Sequence, residues 1–285
     1  MSASALVSII VRTQGVRPRL LAASLQSLAR QTYTELEVLV VEDGGDRMSA
    51  IVEAANKERA DTFRLLPITK AGRSDAGNAG LSAARGHLMG FLDEDDWLAP
   101  EHGELLAAAL KRNPGVDLAY ARAQPMFADG LADDNVRDVE PGPLEGDAPF
   151  SRTLLWLRNA IPIQAALFRR SLFERYGGLD PALDALEDWD LWLRYSAEKD
   201  FLALDAVTST YRLPASQAER LARARIHAAA RTQVLQKHAD LVALHRFADI
   251  AALPERIRNH IGLRQSIRRS GAALAEKLRG RKPSS

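Results

Sequence analysis

One pattern recurs through the first hundred residues of this chain: a short continuous apolar run, a loop, then a segment of helical period. The runs are Val7 to Val11, Leu36 to Val41, Phe63 to Ile68 and Leu88 to Leu92. Runs that are apolar on both faces and alternate with helices predict a mostly parallel sheet covered on both sides, an α/β architecture. Between the runs, Leu20, Leu21, Leu25 and Leu28 form one helical stripe, and Ile51, Val52 and Ala55 start another. Pro100 and Glu101 open a third helix, since proline fits a first turn and acids favour the positive end of the helix dipole. Asn113 and Pro114 end it.

Residues 122–149 contain five Asp, two Glu, four Pro and three Gly with little periodicity, which predicts an exposed loop of the length that often forms a lid. Regular structure resumes with Thr153 to Leu157 and a strand-like Ile163 to Phe168. A helix follows from about Leu186 to Ser196, then short strands near Phe201 to Leu204 and Val207 to Arg212. From Gln217 the composition turns to Ala, Arg and Leu and reads as helical. Charge changes at the same place: residues 1–216 carry 23 Lys and Arg against 32 Asp and Glu, whereas residues 217–285 carry 15 against 5. We therefore divide the chain into a domain at 1–216 and a basic, mainly helical extension at 217–285.

The chain has no cysteine, so disulfides, thiolate metal sites and a cysteine nucleophile are excluded. The first fifteen residues lack a basic region ahead of their short apolar run, so neither a signal peptide nor a membrane helix is read there, and a cytoplasmic location is expected.

In an open α/β sheet ligands bind beyond the carboxyl ends of the strands. Three such ends are chemically marked here: Arg12-Thr13, Glu42-Asp43-Gly44-Gly45, and Asp93-Glu94-Asp95-Asp96. Clustered carboxylates repel and raise one another's pKa, a cost that a divalent cation removes; hard oxygen ligands favour Mg²⁺ or Mn²⁺. Taken alone, the acidic tetrad also fits a solvated helix cap, and Asp43-Gly44-Gly45 a tight turn. The stretch from Gly72 to Gly80 lacks the spacing of a dinucleotide fingerprint or a P-loop.

Several ordered motifs resemble those of the family 2 glycosyltransferases. Gly80-Leu81 through Ala84-Arg85-Gly86 into Phe91-Leu92-Asp93-Glu94-Asp95-Asp96-Trp97-Leu98-Ala99-Pro100 is similar to one family core, and Val40-Val41-Glu42-Asp43-Gly44 to another. Phe168-Arg169-Arg170, Gly177-Gly178-Leu179-Asp180 and Glu187-Asp188-Trp189-Asp190-Leu191-Trp192-Leu193-Arg194 look like a third region, so the resemblance spans roughly residues 5–215. It implies the GT-A nucleotide-diphospho-sugar transferase fold, and an inverting enzyme that moves one sugar at a time from a UDP- or dTDP-sugar to a hydroxyl acceptor on a glycan or lipid-linked saccharide. By the same resemblance Asp43, with Thr13 beside it, would receive a uracil or thymine imide. Asp93 would lie near the ribose and metal, and Asp95 would ligate Mg²⁺ or Mn²⁺. Asp188 would be the general base. Glu187, Trp189 and Trp192 are candidates for acceptor contact or support. Asp188 also fits a plain dipole role in the first turn of a helix.

Two positions depart from the family pattern. Gly77 stands where an arginine is common, leaving Arg73 or Lys70 to substitute, and Leu213 follows Tyr211-Arg212 where a histidine is common. A nucleotidyltransferase acting on a sugar phosphate is the nearest enzymatic alternative, and a noncatalytic sugar-nucleotide-binding protein the nearest alternative of another class.

In the extension, Arg220, Arg223, Arg225, Arg231 and Lys237 make one basic cluster, and Arg264, Arg268, Arg269, Lys277, Arg279, Arg281 and Lys282 a second. Leu263, Ile267, Leu274 and Leu278 share one helical face. Two readings are open: a surface that contacts anionic membrane, or a helical hairpin packed on the first domain. No motif accompanies the charge to suggest nucleic acid.

Overall fold

The computed structural model describes residues 5–132, 134–144 and 149–239. Four strands, β1 (Val7–Thr13), β2 (Leu36–Asp43), β3 (Phe63–Ile68) and β4 (Leu88–Asp93), are mutually parallel in the order β3-β2-β1-β4. Every residue of β1 and β2 is buried, as the uninterrupted apolar runs require. The intervening helices are α1 (Pro18–Ala29), α2 (Ser49–Glu58) and α3 (Arg73–Ala83). Leu21, Leu25 and Leu28 of α1 are at most 1% exposed, so truncating any one to alanine would cost about 2–5 kcal/mol. α3 packs against β1 through glycine: a Cβ on Gly80 would lie 2.4 Å from Cγ2 of Ile10.

Beyond β4 the sheet is mixed. The short β5 (Trp97–Leu98) precedes α4 (His102–Arg112), and then come β6 (Leu118–Asp129), β7 (Arg137–Pro141), α5 (Arg152–Leu157), a 3₁₀ turn (Ile163–Ala165) and β8 (Ala166–Arg169). The chain continues through α6 (Arg170–Tyr176), α7 (Glu187–Tyr195), β9 (Leu202–Pro214) and α8 (Gln217–Lys237). The sheet path is β3-β2-β1-β4-β8-β6-β9-β5, with β7 paired to β6. β8 is antiparallel to both neighbours, and β6 and β9 run parallel.

Several expectations are corrected. The segment 122–149 is not one loop, because its first part continues β6 and residues 137–141 return as β7, antiparallel to it. Alternation explains the missed strand: Leu118, Ala119, Ala121, Ala123 and Ala128 are buried, but small residues give a weak apolar signal. The two short strands expected over 201–212 are one, β9. Only Ala166–Arg169 of the expected strand at 163–168 is extended.

Candidate active site

A cleft of about 640 Å³ opens at the carboxyl ends of β1 and β4, walled also by the first turn of α7 and by α8 between Arg220 and His227. It is lined by seven arginines and seven carboxyl groups, and Thr13, Asp43, Arg73, Asp93, Asp95, Glu187 and Asp188 are all among its lining residues. Trp189 and Trp192 are not. Each is buried to 1% or less, with its indole N–H donating to the carbonyl of Leu155 (2.6 Å) or Ile161 (2.9 Å). Neither can offer a face to an acceptor, so their part is support: they seat α7 in the core, as amphipathic spacing in a nine-residue helix would place them.

The end of β2 forms one edge of the cleft. Asp43 accepts the backbone N–H groups of Ala71 (2.7 Å) and Gly72 (3.1 Å), fixing the loop that leads into α3. Gly44 turns with φ +102°, a conformation that glycine adopts without strain. The Thr13 hydroxyl donates to Glu94 and accepts the N–H of Gly15 (2.9 Å).

The end of β4 is held by arginines. The Asp93 carboxylate takes Arg12 Nε at 2.8 Å and an Arg73 amino group at 3.0 Å. Arg12, almost fully buried, also reaches Glu187 at 3.0 Å, as does Arg73 Nε. Burial opposes ionisation of Asp93, but the charges of Arg12 and Arg73 outweigh it and hold the carboxyl below its ordinary value. Arg17 pairs with Glu94 (2.7 Å) and Asp95 (3.1 Å), and donates to the carbonyl of Leu131 between β6 and β7 (2.9 Å). Beside it, Asp134 accepts the N–H groups of Arg19 (2.8 Å) and Leu20 (3.2 Å) at the start of α1. Asp96 is buried next to Asp95 and Asp93; burial first, and then those two charges, raise its pKa well above the ordinary value.

Gly77 now has a physical context. A Cβ there would lie 2.5 Å from Cδ1 of Leu179, and Arg12 Cδ lies 3.6 Å away. Guanidinium groups from β1 and from the first turn of α3, those of Arg12 and Arg73, already meet Asp93 and Glu187.

α7 begins abruptly. Leu186 is left-handed, with φ +59° and ψ 24°, a conformation that costs a non-glycine residue about 1 kcal/mol or more and that clusters at functional sites. It delivers Glu187 and Asp188 to the cleft in the first turn. Asp188 accepts the Asn159 side-chain amide at 2.9 Å. Burial, then the charge of Glu187, push its carboxyl up to about 6, against the hydrogen bond from Asn159 and the charge of Arg73.

As for a divalent cation, no three His, Cys, Asp or Glu side chains among the described residues converge into a cage. Asp95 nonetheless presents a partly exposed carboxylate to the cleft, with one oxygen on Arg17. One carboxylate fits Mg²⁺ or Mn²⁺ held mainly by substrate phosphates and water.

Sequence reasoning missed Arg17, Asn159 and His227, noted Arg12 without a role, and read Arg220 and Arg223 only as part of a basic cluster in the extension. Arg17 carried a signal, because a cation at the N-cap of a helix sits at the wrong end of the dipole unless carboxylates face it. Arg12 and Asn159 carried none, since the carboxylates that they meet are 29 or more residues away in sequence.

The family described as Glycosyl transferase family 2 has a model that matches residues 8–177. An uncharacterized glycosyltransferase of Haemophilus influenzae is 28% identical over 200 residues, 69% of this chain and 64% of that protein. The O-antigen biosynthesis protein RfbC of Myxococcus xanthus is 27% identical over 209 residues, 69% of this chain but 15% of its own length. The chain thus spans less than two thirds of these curated relatives. Among solved structures, S. aureus TarS 1-349 in complex with UDP-GlcNAc superposes with a TM-score of 0.58 at 21% identity, covering 75% of this chain and 60% of that one. Its likeness is one of fold, and it agrees with a mixed sheet flanked by helices. With the family match covering more than half of its length, from β1 through α6, the chain belongs to glycosyl transferase family 2.

Proposed function

We propose that the protein is an inverting glycosyltransferase of the GT-A type that transfers one sugar from a UDP- or dTDP-sugar to a hydroxyl acceptor. The observation that carries this reading is Asp188: a carboxyl with a pKa of about 6, oriented by Asn159 and facing the same cleft as Asp93 and Asp95. A base poised just below working pH is ionised and still basic enough to take a proton. The acceptor oxygen attacks the anomeric carbon, its proton passes to the Asp188 carboxylate, and the bond from that carbon to the diphosphate oxygen breaks. The nucleoside diphosphate departs. Arg73 and the Asp93 that it pairs with would lie against the donor's ribose and phosphates, and Asp43 and Thr13 against its base. Asp95 would hold Mg²⁺ or Mn²⁺, which when bound supplies positive charge to the leaving diphosphate. Glu187 positions Arg12 and Arg73.

The acceptor is proposed to be a glycan or lipid-linked saccharide, in keeping with the RfbC likeness. No helix among the described residues is long and apolar enough to cross a membrane. Peripheral contact with an anionic membrane surface through residues 217–285, on the cytoplasmic face, remains part of the proposal. Its second basic cluster lies outside the described residues.

A screen of sugar nucleotides with Mg²⁺ or Mn²⁺, read by metal-dependent binding and release of nucleoside diphosphate, tests the reading. Release of UDP or dTDP from one of them, abolished in Asp188→Asn, is the expected result. Release of pyrophosphate from a nucleoside triphosphate instead would overturn it.

A further inference from the structure

Of the seven arginines that line the cleft, five face carboxylates: Arg12 and Arg73 pair with Asp93 and Glu187, Arg17 with Glu94 and Asp95, Arg122 with Asp205, and Arg212 with Asp138. The remaining two, Arg220 and Arg223, are both on α8. Arg220 donates to the carbonyls of Pro214 (3.1 Å) and Ala215 and lies 5.2 Å over the ring of Phe127, so its position is fixed while its charge meets no carboxylate among the described residues. Arg223 makes no ion pair or hydrogen bond among the described residues. Ala224 and His227 line the cleft beside them. Residues 220, 223 and 227 fall on one helical face.

α8 is not free to swing this face away. Ala230 and Val234 are buried, and Lys237 and His238 each reach the Asp190 carboxylate of α7 at 2.8 Å, two residues from Asp188. A fixed helix that turns two guanidinium groups without a carboxylate partner among the described residues into a cleft whose other five arginines are paired has the properties of an anion site, and the arginine fork suits phosphate oxygens. We infer that Arg220 and Arg223 of α8, with His227 beside them, form a phosphate subsite in the wall of the cleft. Burial, and then the charge of Arg223, lower the pKa of His227, so at neutral pH it contributes a hydrogen-bonding ring rather than a charge. The phosphate is either that of the donor diphosphate or one carried by the acceptor. Only this naming of its source rests on the transferase reading.

Calorimetry with inorganic pyrophosphate on the full chain tests the subsite in two arms: the protein alone, and the protein saturated with UDP and Mg²⁺. In the first arm the Arg220→Gln/Arg223→Gln variant is expected to bind pyrophosphate at least about tenfold more weakly than the unmodified chain. If the unmodified chain still takes pyrophosphate in the second arm, and the variant does not, the subsite serves an acceptor phosphate. If UDP excludes pyrophosphate and the variant also loses about tenfold for UDP but not for uridine, it serves the donor. Pyrophosphate and UDP binding unchanged by the double substitution, in both arms, would overturn the inference. Should the double variant fail to fold, Arg223→Gln alone, which removes no partner, decides by the same criterion. Turnover is not part of the readout, so a chain that transfers no sugar yet loses pyrophosphate with these arginines would refute the transferase and leave the subsite standing.

Discussion

At pH 7 a carboxyl with a pKa of about 6 is mostly ionised, so turnover carried by Asp188 is expected to rise with pH through about 6 and level off above it. Asn159→Ala removes a hydrogen bond that favours the charged form, and the acidic limb of the profile should therefore move to higher pH. A pH–rate series on both proteins checks the direction. Asp188→Asn separates chemistry from folding by the sign of its stability change. With a folded pKa above the unfolded one, the carboxyl penalises the folded state as pH rises from about 4 to about 6, and the penalty is complete above that. The amide escapes it. The variant should lose about 10²-fold or more in turnover yet be more stable at neutral pH, by up to about 3 kcal/mol, with the gain vanishing near pH 4. A residue serving only the helix dipole would instead lose about 0.3–1 kcal/mol on substitution and leave turnover alone.

Among the elements, α3 shows how far a sequence can be read. No helix is read after β3, where residues 72–80 register only as a glycine-rich stretch and Gly77 as a departure from a motif, although the structure places α3 there. Why glycine stands there depends on Leu179 and Arg12, which approach from a distant loop and from β1. Gly77→Ala is accordingly expected to cost about 1–3 kcal/mol by overpacking, measured by denaturant unfolding. β1, β2, β3 and β4 were legible because each is apolar on both faces; β6 was not, because its buried positions are largely alanine and its continuation runs through acids and prolines. The carboxylates of the site were legible for the complementary reason that charges directly after a buried strand stand out. Arginines that neutralise them from α1, α3 and β1 cannot be located without the fold. Trp189 and Trp192 show the converse, a pattern equally suited to core and to sugar stacking that only burial resolves.

For the molecule as a whole, the change of charge after Ser216 does not coincide with the edge of the site, since α8 forms part of the cleft wall. Its far end is tied down at Asp190, whose carboxyl is held well below its ordinary value: burial opposes this, but the hydrogen bond from His238 and the charges of Arg194 and Lys237 prevail. That contribution to stability is present above about pH 4 and is lost as pH falls through the depressed value. Asp190→Ala leaves three donors facing an empty position and is expected to cost about 3 kcal/mol and to loosen α8, seen as a lower melting temperature with proteolysis near residue 216. A chain ending at Ser216 should melt earlier as well, because it uncovers the surface that Ala230 and Val234 bury. One contact beside Arg17 has a different use. The first amides of a helix have no acceptor within it, and those of Arg19 and Leu20 are satisfied by Asp134, from the connection between β6 and β7. Their hydrogen exchange is therefore a clock for the parting of that hairpin from α1, readable at two backbone positions without label or substrate, and its rate with and without a nucleotide would tell whether binding nearby holds the two together.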